Sequence, residues 1–173
     1  MKNKKIFLFI FVLISLVFFN FLVRIVRAVS TDTVSATVTA QNISVSVDNV
    51  SIAFGTIGVG STANTTASGV NDSSIATNDG NITEKFNIKA ANSTNWTLAA
   101  TAGSENYTMK SCITNCDSSP TWTSVGIDPS YATLVASVGV GGTGIFDLQV
   151  GTPTSTASYG QQTITVTVQA TTP

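Results

Sequence analysis

The chain has 173 residues, no histidine, two cysteines, and eight basic against nine acidic side chains. Five of the basic residues fall within the first 28, so residues 29–173 carry only Lys85, Lys89 and Lys110 against all nine acids, a net charge of −6. That balance excludes the clustered basic surface that nucleic acid or an anionic membrane requires, and without histidine neither a Ser/His/Asp arrangement nor a four-ligand zinc site can be assembled.

Residues 1–28 read as a targeting segment. Lys2, Lys4 and Lys5 open it, residues 6–23 are almost continuously apolar, and Val26-Arg27-Ala28 offers small residues at the positions that precede a cut. Cleavage after Ala28 is expected, with an uncleaved anchor as the alternative because eighteen apolar residues also suffice to span a bilayer. Either outcome exports the remaining 145 residues, enough for one domain with a substantial core. The expected location is outside the cell or on its surface, and contact with a membrane is expected only through an uncleaved N-terminal segment.

Residues 29–42 form a leading extension. Val34, Ala36, Val38 and Ala40 are apolar on even positions, whereas Ile43, Val45 and Val47 are apolar on odd ones. A phase flip near Gln41 and Asn42 predicts either a bulge or a strand that leaves its sheet. Further on, Ile82, Phe86, Ile88 and Ala90 alternate with Thr83, Lys85, Asn87 and Lys89, with Glu84 as an inward exception near a strand end. Trp96, Leu98 and Ala100 continue the pattern, Phe146, Leu148 and Val150 repeat it, and Ile164, Val166, Val168 and Ala170 form its cleanest run. Asn78-Asp79-Gly80-Asn81 is a hairpin signal, and glycine-rich clusters at 58–66, 139–144 and 151–160 mark further turns. The fold class is all-β: a single antiparallel β-sandwich of seven to nine strands over residues 43–173.

Within this region Ser51-Ile52-Ala53-Phe54-Gly55-Thr56-Ile57-Gly58-Val59-Gly60, the segment Ser74-Ile75-Ala76-Thr77-Asn78-Asp79-Gly80-Asn81 and the late run Gly144-Ile145-Phe146-Asp147-Leu148-Gln149-Val150 occur in an order that resembles the Ig-like domains of the abnormal-spindle/SPD-2/hydin type. The resemblance covers about 125 residues and implies an Ig-like fold and an export habit, with no activity. The stretch 107–131 is extra to the family pattern. Asn95-Trp96-Thr97-Leu98 is similar to the first motif of wall-binding WxL domains, although no second motif follows, and a core tryptophan is the competing reading.

Several residue sets are candidates for chemistry. Cys112 and Cys116 are expected to form a disulfide, whose small ring contributes about 2 kcal/mol. Asp72, Asn78 and Asp79, with Asn71 and Asn81, carry the hard oxygens calcium prefers, but they are equally the residues of turns. Trp122, Tyr107 and Tyr131 could stack against a sugar or simply pack. Asn42, Asn49, Asn64, Asn71, Asn81, Asn92, Asn95 and Asn106 stand in glycosylation sequons, eight of eleven asparagines after residue 28. Chance gives about three and a half, with Ser and Thr at 46 of 145 positions.

No cofactor and no enzymatic activity are expected, since the carboxylates show no paired spacing. The expected function is a secreted or cell-surface structural or adhesion module whose partners are other surface proteins, itself or surface glycans. Two alternatives stand beside it: a filament subunit that lends a strand to its neighbour in the manner of TasA and camelysin fibres, and a carbohydrate-binding module using Trp122.

Overall fold

The computed structural model describes residues 9–18 and 31–173. The chain divides into two units, Met1–Val38 and Thr39–Pro173. In the first, residues 9–18 form a helix with exposed apolar side chains such as Phe9, Leu13 and Phe18. The opening lysines and the Ala28 cleavage position lie outside the described residues. Among the described residues no helix is long and apolar enough to cross a membrane. Residues 31–38 adopt no regular structure.

The second unit is built of strands: β1 (Val45–Val47), β2 (Thr62–Asn64), β3 (Ser74–Asn78), β4 (Glu84–Ala90), β5 (Thr97–Leu98), β6 (Asn106–Cys112), β7 (Thr123–Ser124), β8 (Gly126–Ile127), β9 (Ala132–Val138), β10 (Thr143–Gly151) and β11 (Val166–Thr171). The larger sheet runs β1-β3-β10-β6-β5, with β2 on β10 and β7 on β6. The smaller runs β11-β4-β8, with β9 also on β4. Both sheets send side chains into one core, including Phe86 and Ile88 from β4, Tyr107 and Met109 from β6, Leu134 from β9, and Phe146 and Leu148 from β10. β-branched and aromatic residues at two-residue spacing dictate this, because they place one face of each long strand out of water.

The expected all-β character holds, with corrections. The sheets are mixed rather than purely antiparallel: β5 runs parallel to β6, and β8 parallel to β4. Eleven strands stand among the described residues instead of seven to nine, because several pairings last only two or three residues. Partners are interrupted. β2 and β3 follow one another along β10, at Gln149–Gly151 and then Thr143–Phe146, with residues 65–73 looped out between them. β9 and β8 share β4 in the same way.

Two local readings change. Asn78-Asp79-Gly80-Asn81 is no hairpin, since it carries the chain from β3 in the large sheet to β4 in the small one. Gly80 is required there by close approach: a Cβ would stand 2.5 Å from the Asn42 carbonyl oxygen and closer still to Glu84 Oε1. Residues 34–40 form no strand, and the alternation there leaves Val34 95% and Val38 96% exposed. No inward phase exists there to flip, since residues 31–40 are all exposed; what the structure shows at the join is a clasp by Asn81. The Asn81 amide donates to the Ala40 carbonyl at 2.8 Å, its Oδ1 accepts from the Asn42 N–H at 2.8 Å, and its own N–H reaches the Asn42 carbonyl. Glu84 is the inward exception expected, fully buried at the head of β4 with Oε1 accepting from Ser44 N–H. Asn87, expected to face water, is buried and donates to the Thr171 hydroxyl.

Candidate functional site

Cys112 and Cys116 are joined, with Cα atoms 5.8 Å apart, and they close a turn at the end of β6 in which Asn115 takes a positive φ of 54°. Asp117, one residue beyond, accepts from the Ala67 N–H and ties this turn to the looped-out 65–73 segment.

The calcium candidates are turn-makers. Asn78 is buried: its amide donates to the Ile82 and Val138 carbonyls at 2.8 and 2.9 Å, and its Oδ1 accepts from Gly80 N–H at 2.9 Å. Asp72 Oδ1 accepts from the Asn49 amide at 2.6 Å, and Asp79 lies exposed. Among the described residues no three His, Cys, Asp or Glu gather as a metal cluster.

The aromatic trio is not assembled as a platform. Tyr107 is fully buried, and its hydroxyl donates to the Ala91 carbonyl; burial pushes its pKa up to about 12. Tyr131 lies under the Lys89 ammonium, 4.7 Å from the ring centroid, and Lys89 also pairs with Asp128. The Asp128 hydrogen bond raises the Lys89 pKa above its ordinary value. Trp122 is half-buried just before β7. Of the sequon asparagines, Asn49 and Asn81 have their amide nitrogens engaged. Asn42, Asn64, Asn71, Asn92, Asn95 and Asn106 donate no hydrogen bond from theirs, and of these Asn42, Asn71, Asn92 and Asn95 are exposed.

A different feature emerges from the packing. Two hollows of about 510 and 440 Å³ open beside β11, and they share Ile52, Phe54, Gln161, Gln162 and Ile164 as lining. One reaches Trp96 and Val150; the other reaches Met109, Phe146 and Leu148, residues of the core itself. No charged side chain lines either. β11 pairs with β4 alone, so its other edge is unpaired, and its inward residues Val166, Val168 and Ala170 are only half-buried.

The two banks of this groove are formed by residues 52–57 and 161–164. Among the described residues, the backbone groups of neither bank make a hydrogen bond within the protein. Ile52 and Phe54 alternate as a strand would, but Gly55 takes a φ of 72° and breaks the run. Trp96, expected in the core, is half-buried at the groove wall, where its indole N–H donates to the Thr156 hydroxyl at 3.1 Å. Next to it, Glu105 accepts from the Ala157 N–H and, at 2.7 Å, from the Thr156 hydroxyl. Those two bonds hold its carboxyl below the ordinary glutamate range, the Ala157 bond most. A neutral groove with an apolar floor and unpaired backbone rims can take an extended peptide, supplying hydrogen bonds along its edges and pockets for alternate side chains.

Compared with protein families, with curated proteins and with solved structures, the chain finds no match in any of the three.

Proposed function

We propose that the chain is an exported structural or adhesion module of the cell surface, non-catalytic, with an Ig-like β-sandwich as its body. The observation that carries this reading is how its polar side chains are used. Asp147, buried in β10, accepts from the Thr65 and Ser73 hydroxyls at 2.8 and 2.7 Å. Asn78 bonds three backbone groups, Glu105 holds the 156–157 loop, and Asp48 accepts from the Ile75 N–H at 2.7 Å. These groups, which have the chemistry for catalysis or metal binding, are bonded to the protein's own loops, as a scaffold uses them, although Glu84 Oε2 at the head of β4 is buried without a partner. The Cys112–Cys116 bond supports export, because such bonds persist in oxidising compartments.

Protease shaving of intact cells, with mass spectrometry of the released peptides, tests this directly. The 112–116 peptide should appear at the surface in oxidised form. Recovery only from the cytoplasm, with two alkylatable thiols, would sink the reading.

A second reading, a subunit that assembles with copies of itself, is favoured by the open groove and the exposed alternation at residues 33–40.

A further inference from the structure

We infer that the head of β4 binds a calcium ion, held by the Glu84 carboxylate, Asn78 Oδ1 and the Asn42 carbonyl oxygen where the chain passes from β3 to β4. The starting point is Glu84 Oε2, the single buried side-chain oxygen or nitrogen without a hydrogen-bond partner among the described residues. Glu84 is fully buried, and the one ion pair among those residues joins Lys89 to Asp128 and leaves Glu84 out. A carboxylate taken out of water is unfavourable unless a positive charge meets it. A water would satisfy the hydrogen bond but not the charge.

Three oxygens from separate parts of the chain converge at this point. A Cβ at Gly80 would stand 2.5 Å from the Asn42 carbonyl oxygen, 3.2 Å from Asn78 Oδ1, and nearer still to Glu84 Oε1. Each of the three accepts one N–H: Oε1 from Ser44 at 2.8 Å, the Asn42 oxygen from Asn81 at 3.1 Å and Asn78 Oδ1 from Gly80 at 2.9 Å. One such bond engages one of two lone pairs, so every oxygen keeps acceptor capacity and Oε2 keeps all of its own. Backbone donors are spread one to an oxygen. What remains is a carboxylate charge and spare lone pairs, suited to a cation that takes several oxygens at once.

The donor set selects the ion. Carboxylate, amide and main-chain carbonyl oxygens are hard ligands, and with no thiolate or imidazole among them the set does not suit zinc or copper. Magnesium demands a compact octahedron and keeps most of its water, whereas calcium accepts irregular shells of about six to eight oxygens and combines a bidentate carboxylate with carbonyls. Counting both Glu84 oxygens, the protein offers four, so water completes the shell; Asn42 and Asn81 are exposed and leave it a way in. A single carboxylate gives modest affinity, a Kd of roughly 0.1–1 mM, the range of extracellular modules. Of the calcium candidates in the sequence only Asn78 contributes, its amide nitrogen shaping the turn and its Oδ1 the site, while Asp72 serves Asn49. The ion fastens residues 42–44, which lead into β1, to the link between the sheets.

The test uses the full-length exported chain, stripped of metal by a chelator, with calcium chloride as the probe. Calorimetric titration should give one site per chain in that affinity range, with magnesium roughly tenfold weaker. At roughly 10 mM calcium the melting temperature should rise by about 5 °C. In NMR spectra the Ser44, Gly80 and Asn81 amides should move along one saturating curve while Ala157 stays in place. Glu84→Gln keeps the shape of the side chain and removes its charge; it should lose the calorimetric signal and the calcium-dependent rise in melting temperature. Should that variant fail to fold, the amide shifts of the native chain decide alone.

Three outcomes overturn the inference. A native chain with no heat, no melting shift and no amide movement has no such site, and water alone meets Glu84 Oε2. Calcium that moves the amides around Asp48 or Asp72 instead binds elsewhere. Calcium effects that persist undiminished in folded Glu84→Gln exclude the carboxylate as a ligand. None of the three touches the reading of the chain as an exported scaffold, which the oxidised 112–116 peptide decides.

Discussion

Two loops of nearly the same composition adjoin β10, and they are held in opposite ways. Residues 65–73 and residues 154–164 are both rich in Ser and Thr, each with a glycine and an amide or two. The first is cross-bonded throughout: Thr65 N–H donates to the Leu148 carbonyl, Val70 and Asp72 N–H to Asn64 and Thr65, and Asp147 gathers two hydroxyls beneath it. The second is tied to Gly103 and Glu105 as far as residue 157 and then, from residue 161, runs without backbone partners to residue 164. Composition does not decide which loop is rigid. A buried acceptor that organises the loop from below does, and residues 161–164 have a hollow beneath them instead.

The largest expected contrast separates the closed core from the open side. Phe86→Ala, at a fully buried position in β4, should destabilise by about 3–5 kcal/mol in denaturant unfolding. Phe54→Ala, on the half-buried groove bank, should cost less than about 2 kcal/mol because much of that ring already meets water. Equal losses at the two positions would mean that the bank is as well packed as the core.

Next in size is the amide that closes the link between the sheets. Asn78→Ala removes donors to Ile82 and Val138 and the acceptor for Gly80, leaving three backbone groups at a buried site without partners. A loss of about 2–4 kcal/mol is expected. The same substitution at Gln162, whose side chain bonds Ser93, Asn95 and Gly160 around the groove rim, should cost well under half of that.

Tyr107 tests the core with pH. In the unfolded chain its hydroxyl titrates near 10; buried against Ala91 it does so at about 12. Its contribution to stability is therefore complete below pH ~10 and declines as pH rises from there toward about 12, since the unfolded chain releases the proton first. Tyr107→Phe should lose about 1–2 kcal/mol at neutral pH, from the Ala91 carbonyl left unbonded. Subtracting its urea midpoints from those of the native chain across pH 8–12 isolates the decline, and parallel curves would refute it.

How far the molecule was legible in its sequence follows from what each feature depends on. β4, β10 and β11 announce themselves because inward Phe86, Ile88, Phe146, Leu148, Val166 and Val168 recur every second residue, a pattern imposed by the pleat alone. β5 and β8 carry two residues each, too few for a period, so the parallel pairings they make leave no trace. Tyr107 alternates with Met109 as a core residue does, but its ring lies in the extra segment with Trp122 and Tyr131, which makes stacking on a sugar a competing reading. Gly80 signalled a turn correctly and its purpose wrongly, since the crowding by Asn42 and Glu84 comes from distant parts of the chain. The groove was the least legible feature. Ile52 and Phe54 entered the sequence reading only within a family-like segment, and a missing partner is a property of the assembled sheets, not of any segment.

The smallest effect lies where the ordered part of the second loop ends. Glu105 sits at a positive φ of 55° and holds the Ala157 N–H and the Thr156 hydroxyl, and those bonds keep its carboxyl ionised below the usual glutamate range. With a lowered pKa in the folded chain, what the carboxylate contributes is fully present above the ordinary glutamate value and is lost as pH falls through the lowered one. The group is exposed, so global stability should barely register the change. Hydrogen exchange read by NMR should register it locally: the Ala157 amide protected at pH 6, less so toward pH 3 after correction for intrinsic rates, and unprotected at both in Glu105→Ala. In the same spectra the Thr163 and Ile164 amides, which have no backbone partner, should exchange freely in dilute protein. If they gain protection as concentration rises while Ala157 stays as it was, the open bank is being filled by another chain and not by a tightening of its own loop.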